Sequence, residues 1–315
     1  MKAVLLPLLA AAILAAPAPA AGNLLVNGSF ELGADPGLFI DLPGGSTAIT
    51  GWTVGDFHVD YTDSATWNAS DGVRSVDLDG SVVAQPKNGS LFQSFATTPG
   101  KEYRVDFDMS GNVCGAPILK TVEVSVGDFL QNYVFDAGSI QPFVPPMTIP
   151  YTHQSFLFTA TASTSTLKFR SLTSLTGSPG YGVVIDDVSV EPTAWTDLGF
   201  ALPGVGGAPQ LVGTGDLTAG SAGSLVLISA APAAPALLFI SLASTPVPFK
   251  GGTLVPVPAL ITVSAVTSPL GIVPLGWAAW PAGLSGASLW FQYGIKDLAA
   301  LHDVSLSNAV RGDVP

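Results

Sequence analysis

Tyr103-Arg104-Val105-Asp106-Phe107-Asp108-Met109 alternates strictly between apolar and charged residues. Successive side chains of an extended chain point to opposite faces, so Tyr, Val, Phe and Met share one face while Arg and two Asp share the other. A helix would scatter the four apolar residues around its circumference, so the stretch reads as a half-buried strand. Thr121–Val126 alternates in the same way, with Val122, Val124 and Val126 on one face, and Leu167, Phe169 and Val184 lie in similar runs. Pro99-Gly100, Ser110-Gly111-Asn112 and Ser178-Pro179-Gly180 punctuate these runs. Short strands between Gly/Pro turns predict an antiparallel, all-β sandwich.

The second half repeats the theme without repeating the sequence. Ser224–Ser229, Leu237–Leu242, Ala259–Val266 and Ser288–Tyr293 read as strands, and Ile295–Leu301 is the best candidate for a short helix. Composition shifts near Pro192: residues 23–192 carry a net charge of −11, residues 193–315 only −2. The chain therefore divides into a first domain over 23–192, a linker over 193–208 and a second small β-sandwich over 209–315.

The whole chain has 315 residues, 11 Lys+Arg against 23 Asp+Glu, and a mean hydropathy of +0.48. Charged residues make up 11%, against roughly 25% in an ordinary soluble domain. With 48% apolar residues this is not a disordered composition. The absence of a basic stripe excludes nucleic-acid binding. Cys114 stands alone, which excludes a disulfide scaffold and a Cys-ligated zinc or iron–sulfur centre.

The first residues read as an export signal over residues 1–21. Lys2 supplies a positive start, Val4 to Ala16 an apolar run, and Ala18-Pro19-Ala20 the small residues before cleavage after Ala20 or Ala21. The most apolar later stretch, Leu225–Leu242, is broken by Pro232 and Pro235, so no transmembrane segment is expected in the mature chain. Secretion to the periplasm or the extracellular space follows.

Asn23-Leu24-Leu25-Val26-Asn27-Gly28-Ser29-Phe30-Glu31, followed by Gly51-Trp52, opens the first domain; Tyr181-Gly182-Val183-Val184-Ile185-Asp186-Asp187-Val188-Ser189-Val190 closes it. This pair resembles jelly-roll carbohydrate-binding modules of the galactose-binding-like fold. Val59-Asp60-Tyr61, Trp67, residues 69–78, Gly89–Phe95 and Met109-Ser110-Gly111-Asn112 narrow the resemblance to the bacterial choice-of-anchor C family. That family is related to plant cell-wall proteins called domain of unknown function 642. The second half resembles a C-terminal region repeated in secreted proteins of planctomycetes and similar bacteria, carried by Pro248–Pro256 and Leu306-Ser307-Asn308-Ala309.

The jelly-roll resemblance implies that the first and last strands lie side by side, which would let Glu31 and Asp186 meet around a structural Ca²⁺. The alternative is that Glu31 caps a turn and Asp186 or Asp187 faces solvent. Sugar binding needs aromatic faces and planar polar groups, and the available cluster is His58, Tyr61, Trp67, Asp71, Arg74 and Asn112. Trp67 reads equally well as a core ring, Trp52 reads as core, and Arg74 has Asp71 or Asp77 as alternative partners. Catalysis has little support. The three His occur in no metalloprotease motif, and Gly220–Ser224 has the wrong spacing for a nucleophile elbow. A secreted, non-catalytic module binding a polysaccharide or cell-surface glycan is the leading expectation. A structural envelope protein and a carbohydrate-active enzyme are the alternatives.

Overall fold

The computed structural model describes residues 22–81, 88–173 and 180–315. The signal-peptide expectation and the Ser178-Pro179 part of one expected turn lie outside these residues. The chain forms two compact units, residues 22–192 and a unit containing residues 193–315.

The N-terminal unit contains β1 (Phe39–Pro43), β2 (Thr53–Val54), β3 (His58–Asp63), β4 (Arg74–Asp77), β5 (Ser90–Ala96), β6 (Glu102–Gly111), β7 (Leu119–Val126), β8 (Phe129–Asp136), β9 (Thr152–Thr159), β10 (Thr164–Ser171) and β11 (Val183–Pro192). They form a six-stranded sheet, ordered β1-β3-β4-β11-β6-β9, and a five-stranded sheet, ordered β2-β5-β10-β7-β8. All pairings are antiparallel, and the architecture is a jelly-roll sandwich. Residues 103–109 form most of β6 with the alternation intact: Tyr103, Val105, Phe107 and Met109 are buried, while Arg104, Asp106 and Asp108 face outward.

The core lies between the sheets. From the first sheet come Val59, Tyr61, Val76, Phe107 and Ile185; from the second, Leu91, Val124, Leu167 and Phe169. Trp52 is 1% exposed and tilts against Phe30 at 5.2 Å between ring centroids, with its indole N–H donated to Asn27 O. The opening segment is fastened to β11: Leu24 N–H donates to Val190 O (2.8 Å), and Val188 N–H donates to Gly28 O (3.0 Å).

The C-terminal unit contains β12 (Trp195–Gly199), β13 (Gln210–Thr214), β14 (Gly223–Ile228), β15 (Pro235–Ser241), β16 (Val247–Phe249), β17 (Gly252–Leu254), β18 (Ile261–Val266), β19 (Val273–Trp277), β20 (Ser288–Lys296), β21 (Val304–Leu306) and β22 (Ala309–Asp313). The sheet β12-β22-β20-β15-β18, with β21 also on β20, is accompanied by the three-stranded sheet β13-β14-β19 and the hairpin β16-β17.

Two sequence expectations are corrected here. Residues 193–208 are not a linker, because Trp195–Gly199 pairs with β22 and Leu202 bridges to Leu306. Ile295–Leu301 is not a helix: Ile295 is fully buried in β20 between Ala236 and Ser305, and the only helical turn there, among the described residues, is the 3-10 turn Leu301–Asp303. Burial of an apolar side chain within a ladder outweighs local helix propensity. No helix among the described residues is long and apolar enough to cross a membrane.

Replacing Trp52 with Ala removes a ring enclosed on all sides. Denaturant unfolding should show a loss of roughly 3–5 kcal/mol for the N-terminal unit, and a loss below about 1 kcal/mol would mean that this ring is not part of the packing.

Candidate functional site

The outer face of the six-stranded sheet divides into three zones. Its middle is covered. The 66–68 and 147–149 segments pair, through Met147 N–H to Thr66 O (2.8 Å) and Ile149 N–H to the Asn68 carboxamide (2.8 Å), and they press an apolar plug onto β11. That plug is Trp67, Val113, Met147, Ile149 and Val184. Trp67 is 4% exposed, and its indole N–H donates to Ser75 Oγ at 3.0 Å.

The β1–β3 end carries a half-closed polar knot. The Asp41 carboxylate pairs with His58 Nδ1, and Asp60 accepts Ser81 N–H (3.0 Å) and the Ser81 hydroxyl. Burial pushes the Asp60 carboxyl up to about 7, with neighbouring Asp41 adding to the effect and the bonds from Ser81 opposing it. Deeper in, the fully buried Asp77 accepts Gly182 N–H (3.0 Å) and the Asn112 amide (2.9 Å), and burial raises its carboxyl well above the usual range.

The opposite end is open. A row of planar polar side chains runs across β11, β6 and β9. Glu191 accepts Arg104 Nη2–H (3.1 Å), and Arg104 Nε–H donates to Asp106 (2.6 Å). His153 lies between Asp106 (3.3 Å) and Asp108 (3.0 Å). The ladder dictates this row: Arg104 stands opposite both Glu191 and Leu157, and Asp108 opposite His153. Side-chain exposure is 51% for Arg104, 62% for His153 and 38% for Glu191, so the row is accessible. Half-exposed Leu157 adds an apolar surface beside Arg104. Burial pushes the Asp106 carboxyl up, but its bonds to Arg104 and Ser155 and the nearby charges of Arg104 and His153 more than offset this and hold it below the usual range.

The residues expected to bind sugar are therefore placed differently. Tyr61 is fully buried, with its hydroxyl donated to Phe30 O. Arg74 donates to the Tyr61 hydroxyl (2.8 Å) and stacks over its ring at 5.4 Å, pairing with neither Asp71 nor Asp77. Asn112 is buried against Asp77. His58 is held by Asp41, and Asp71 is exposed near the end of the polar row, where its charge acts on Asp187. Tyr61, Trp67 and Asn112 have no face left for a ligand, because the core and the plug enclose them. Arg104, Asp106, Asp108, His153 and Glu191 were not singled out as a site, although the outward parity of residues 104, 106 and 108 was visible in the sequence.

Glu31 and Asp186 both grip one loop, residues 70–74. Glu31 Oε1 accepts the N–H groups of Val73 and Arg74, both at 2.8 Å. Asp186 Oδ2 accepts Ser70 N–H (2.7 Å), Ser70 Oγ–H (3.1 Å) and Asp71 N–H (3.0 Å), while Oδ1 accepts Asp187 N–H (2.7 Å). Both carboxylates therefore act as hydrogen-bond acceptors that hold the loop backbone against β11 and the opening segment. Among the described residues, no group of three or more His, Cys, Asp or Glu side chains is placed to hold a metal ion.

A pH test follows from Asp60. Its carboxyl is raised in the folded state, so the folded protein keeps this proton where the unfolded chain, with a pKa of about 4, has lost it. The associated stability is fully present below about pH 4 and is lost as pH rises through 7. The melting temperature of the N-terminal unit should fall between about pH 5 and about pH 8, and Asp60→Asn should flatten the slope. A slope unchanged in Asp60→Asn would remove Asp60 as its source.

The curated relative Halomucin, from Haloquadratum walsbyi, is 30% identical over 176 residues, which is 53% of this chain; the match spans 2% of that relative's length. Among solved structures, the CBM22-1-CBM22-2 tandem domain of Paenibacillus barcinonensis Xyn10C is similar at a TM-score of 0.36 and 12% identity, covering 95% of this chain and 92% of that one. TmCBM61, solved with beta-1,4-galactotriose, is similar at a TM-score of 0.31 and 14% identity, covering 54% of this chain and 97% of that one. Residues 23–191 match the family described as "Protein of unknown function (DUF642)", and the chain belongs to that family.

Proposed function

We propose that this is a secreted, non-catalytic protein whose N-terminal unit binds carbohydrate on the open end of its six-stranded sheet. The observation that carries the reading is the exposed row Glu191–Arg104–Asp106–His153–Asp108 on three adjacent strands. Vicinal sugar hydroxyls are paired donors and acceptors at short spacing. A flat array of carboxylates, a guanidinium and an imidazole offers complementary pairs at similar spacing, and Leu157 supplies an apolar contact. A sheet positions such groups rigidly, so little entropy is lost when a ligand meets them. The net charge of −11 on residues 23–192 opposes acidic polymers, which makes a neutral polysaccharide or cell-surface glycan the favoured class.

Affinity electrophoresis of the full chain on neutral and acidic polysaccharides, with a glycan array, tests this. Wild-type protein should be retained by at least one neutral polymer. Arg104→Ala should weaken retention about tenfold or more, since hydrogen bonds to charged groups contribute about 1.5–3 kcal/mol, with an unchanged melt. Absence of wild-type retention on every polymer would leave the structural envelope role as the better account.

A further inference from the structure

His153 holds an unusual position within that row. Its Nδ1 is 3.0 Å from Asp108 Oδ1, and its Nε2 is 3.3 Å from Asp106 Oδ1. A neutral imidazole has one N–H and one lone pair, so in this position it would set a lone pair against a carboxylate oxygen. Only the imidazolium donates from both nitrogens. Asp106 and Asp108 lie two residues apart on the same face of β6, side by side, and His153 spans them from the edge strand β9.

The surroundings are predominantly acidic. From β6, Asp106 and Asp108 face the ring directly, and Arg104 reaches it only through Asp106. From β11, Asp187 acts on the ring, while Glu191 lies farther along, held by Arg104. Asp71 acts on Asp187 from the loop after Trp67, and Tyr151 lies near Asp108 just before β9. Loss of the His153 proton removes a positive charge from between two carboxylates and turns one contact repulsive, and the exposed ring is free to swing away.

Building on the carbohydrate reading, we propose that His153 is a proton latch on the binding face. As an imidazolium it ties Asp106 to Asp108 and sets the row that the glycan meets; as a neutral ring it lets both carboxylates go, and the ligand with them. In support, the bond to Asp108, against a smaller cost of burial, raises the His153 pKa above the ordinary histidine value. A raised pKa on a base places the latch's contribution below the unfolded value of about 6.5 and removes it as pH rises through the folded one.

Two measurements on the full chain decide this. Histidine nitrogen NMR, with His153→Gln for assignment, should show His153 titrating above the ordinary histidine value of about 6.5, with the Asp106 and Asp108 carboxyl shifts moving in step. Retention on the polysaccharide that holds the wild type should weaken across the same interval, about tenfold for each pH unit by which ligand raises that midpoint. His153→Arg, which keeps a cation in place, should retain binding at a pH where the wild type has lost it. Titration of His153 at or below the ordinary value, carboxyl shifts that ignore it, or wild-type retention that is flat through its titration would each overturn the latch. If no polysaccharide is retained at any pH, the carbohydrate reading and the latch's ligand-release role fall together. The carboxyl shifts then report only whether the bridge itself responds to the proton.

Discussion

The clamp that Asn23 places on β11 is the constraint on which the N-terminal unit depends. Its amide N–H donates to Val188 O, and its carboxamide oxygen accepts Val190 N–H, both at 2.9 Å, while the same oxygen accepts Leu25 N–H. One side chain thus fastens the opening segment to the strand that closes the unit. That strand lies at the centre of its sheet, between β4 and β6. The register shifts between Asp186 and Ser189, where Asp187 adopts a φ of +46°. This irregularity lets Asp186 reach the 70–71 backbone while Glu191 still meets Arg104 farther along. The outer polar row takes part of its register from this one strand.

Buried charge does the rest of the positioning. Lys120 is fully buried and donates to Gly115 O (2.8 Å) and Tyr181 O (2.7 Å); burial lowers its pKa, with Asp77 and Asp79 opposing that shift. Asp77 accepts the N–H of the very peptide whose carbonyl meets Lys120, so a cation and a carboxyl polarise one amide from its two ends. Gly182 belongs to that peptide, and any Cβ there would fall 2.3 Å from Asp77 Oδ1. Neither partner is replaceable alone, because its removal leaves a buried polar group of that amide without its hydrogen bond.

Much of this was legible beforehand, for local reasons. Period-two alternation in 103–109 assigned β6 its faces correctly, because parity is a property of the chain itself. The parity of Val122, Val124 and Val126 also runs back to Lys120, so a lysine on a core face was visible, though its carbonyl partners were not. What the sequence hid was closure over the sheet. Trp67 looked as fit for stacking on sugar as for packing, and only the 147–149 segment, some eighty residues away, decides the matter. Asp186 likewise lies 116 residues from Ser70, and Tyr61 lies 31 residues from the carbonyl that receives its hydroxyl. Pairing over such distances is a consequence of topology, and residue identity carries no trace of it.

The clamp at Asn23 also has a mechanical meaning. The N-terminal unit begins and ends on adjacent backbone, so it adds bulk to a chain and almost no length, like a bead hung from a thread. Tension applied through Asn23 and Pro192 would act first on the few hydrogen bonds between the opening segment and β11, and only afterwards on the sandwich. The opening segment would peel away before the core gave way, and the slack released would be the reach of that segment alone. Under load such a unit would behave as a short extension with an intact sandwich.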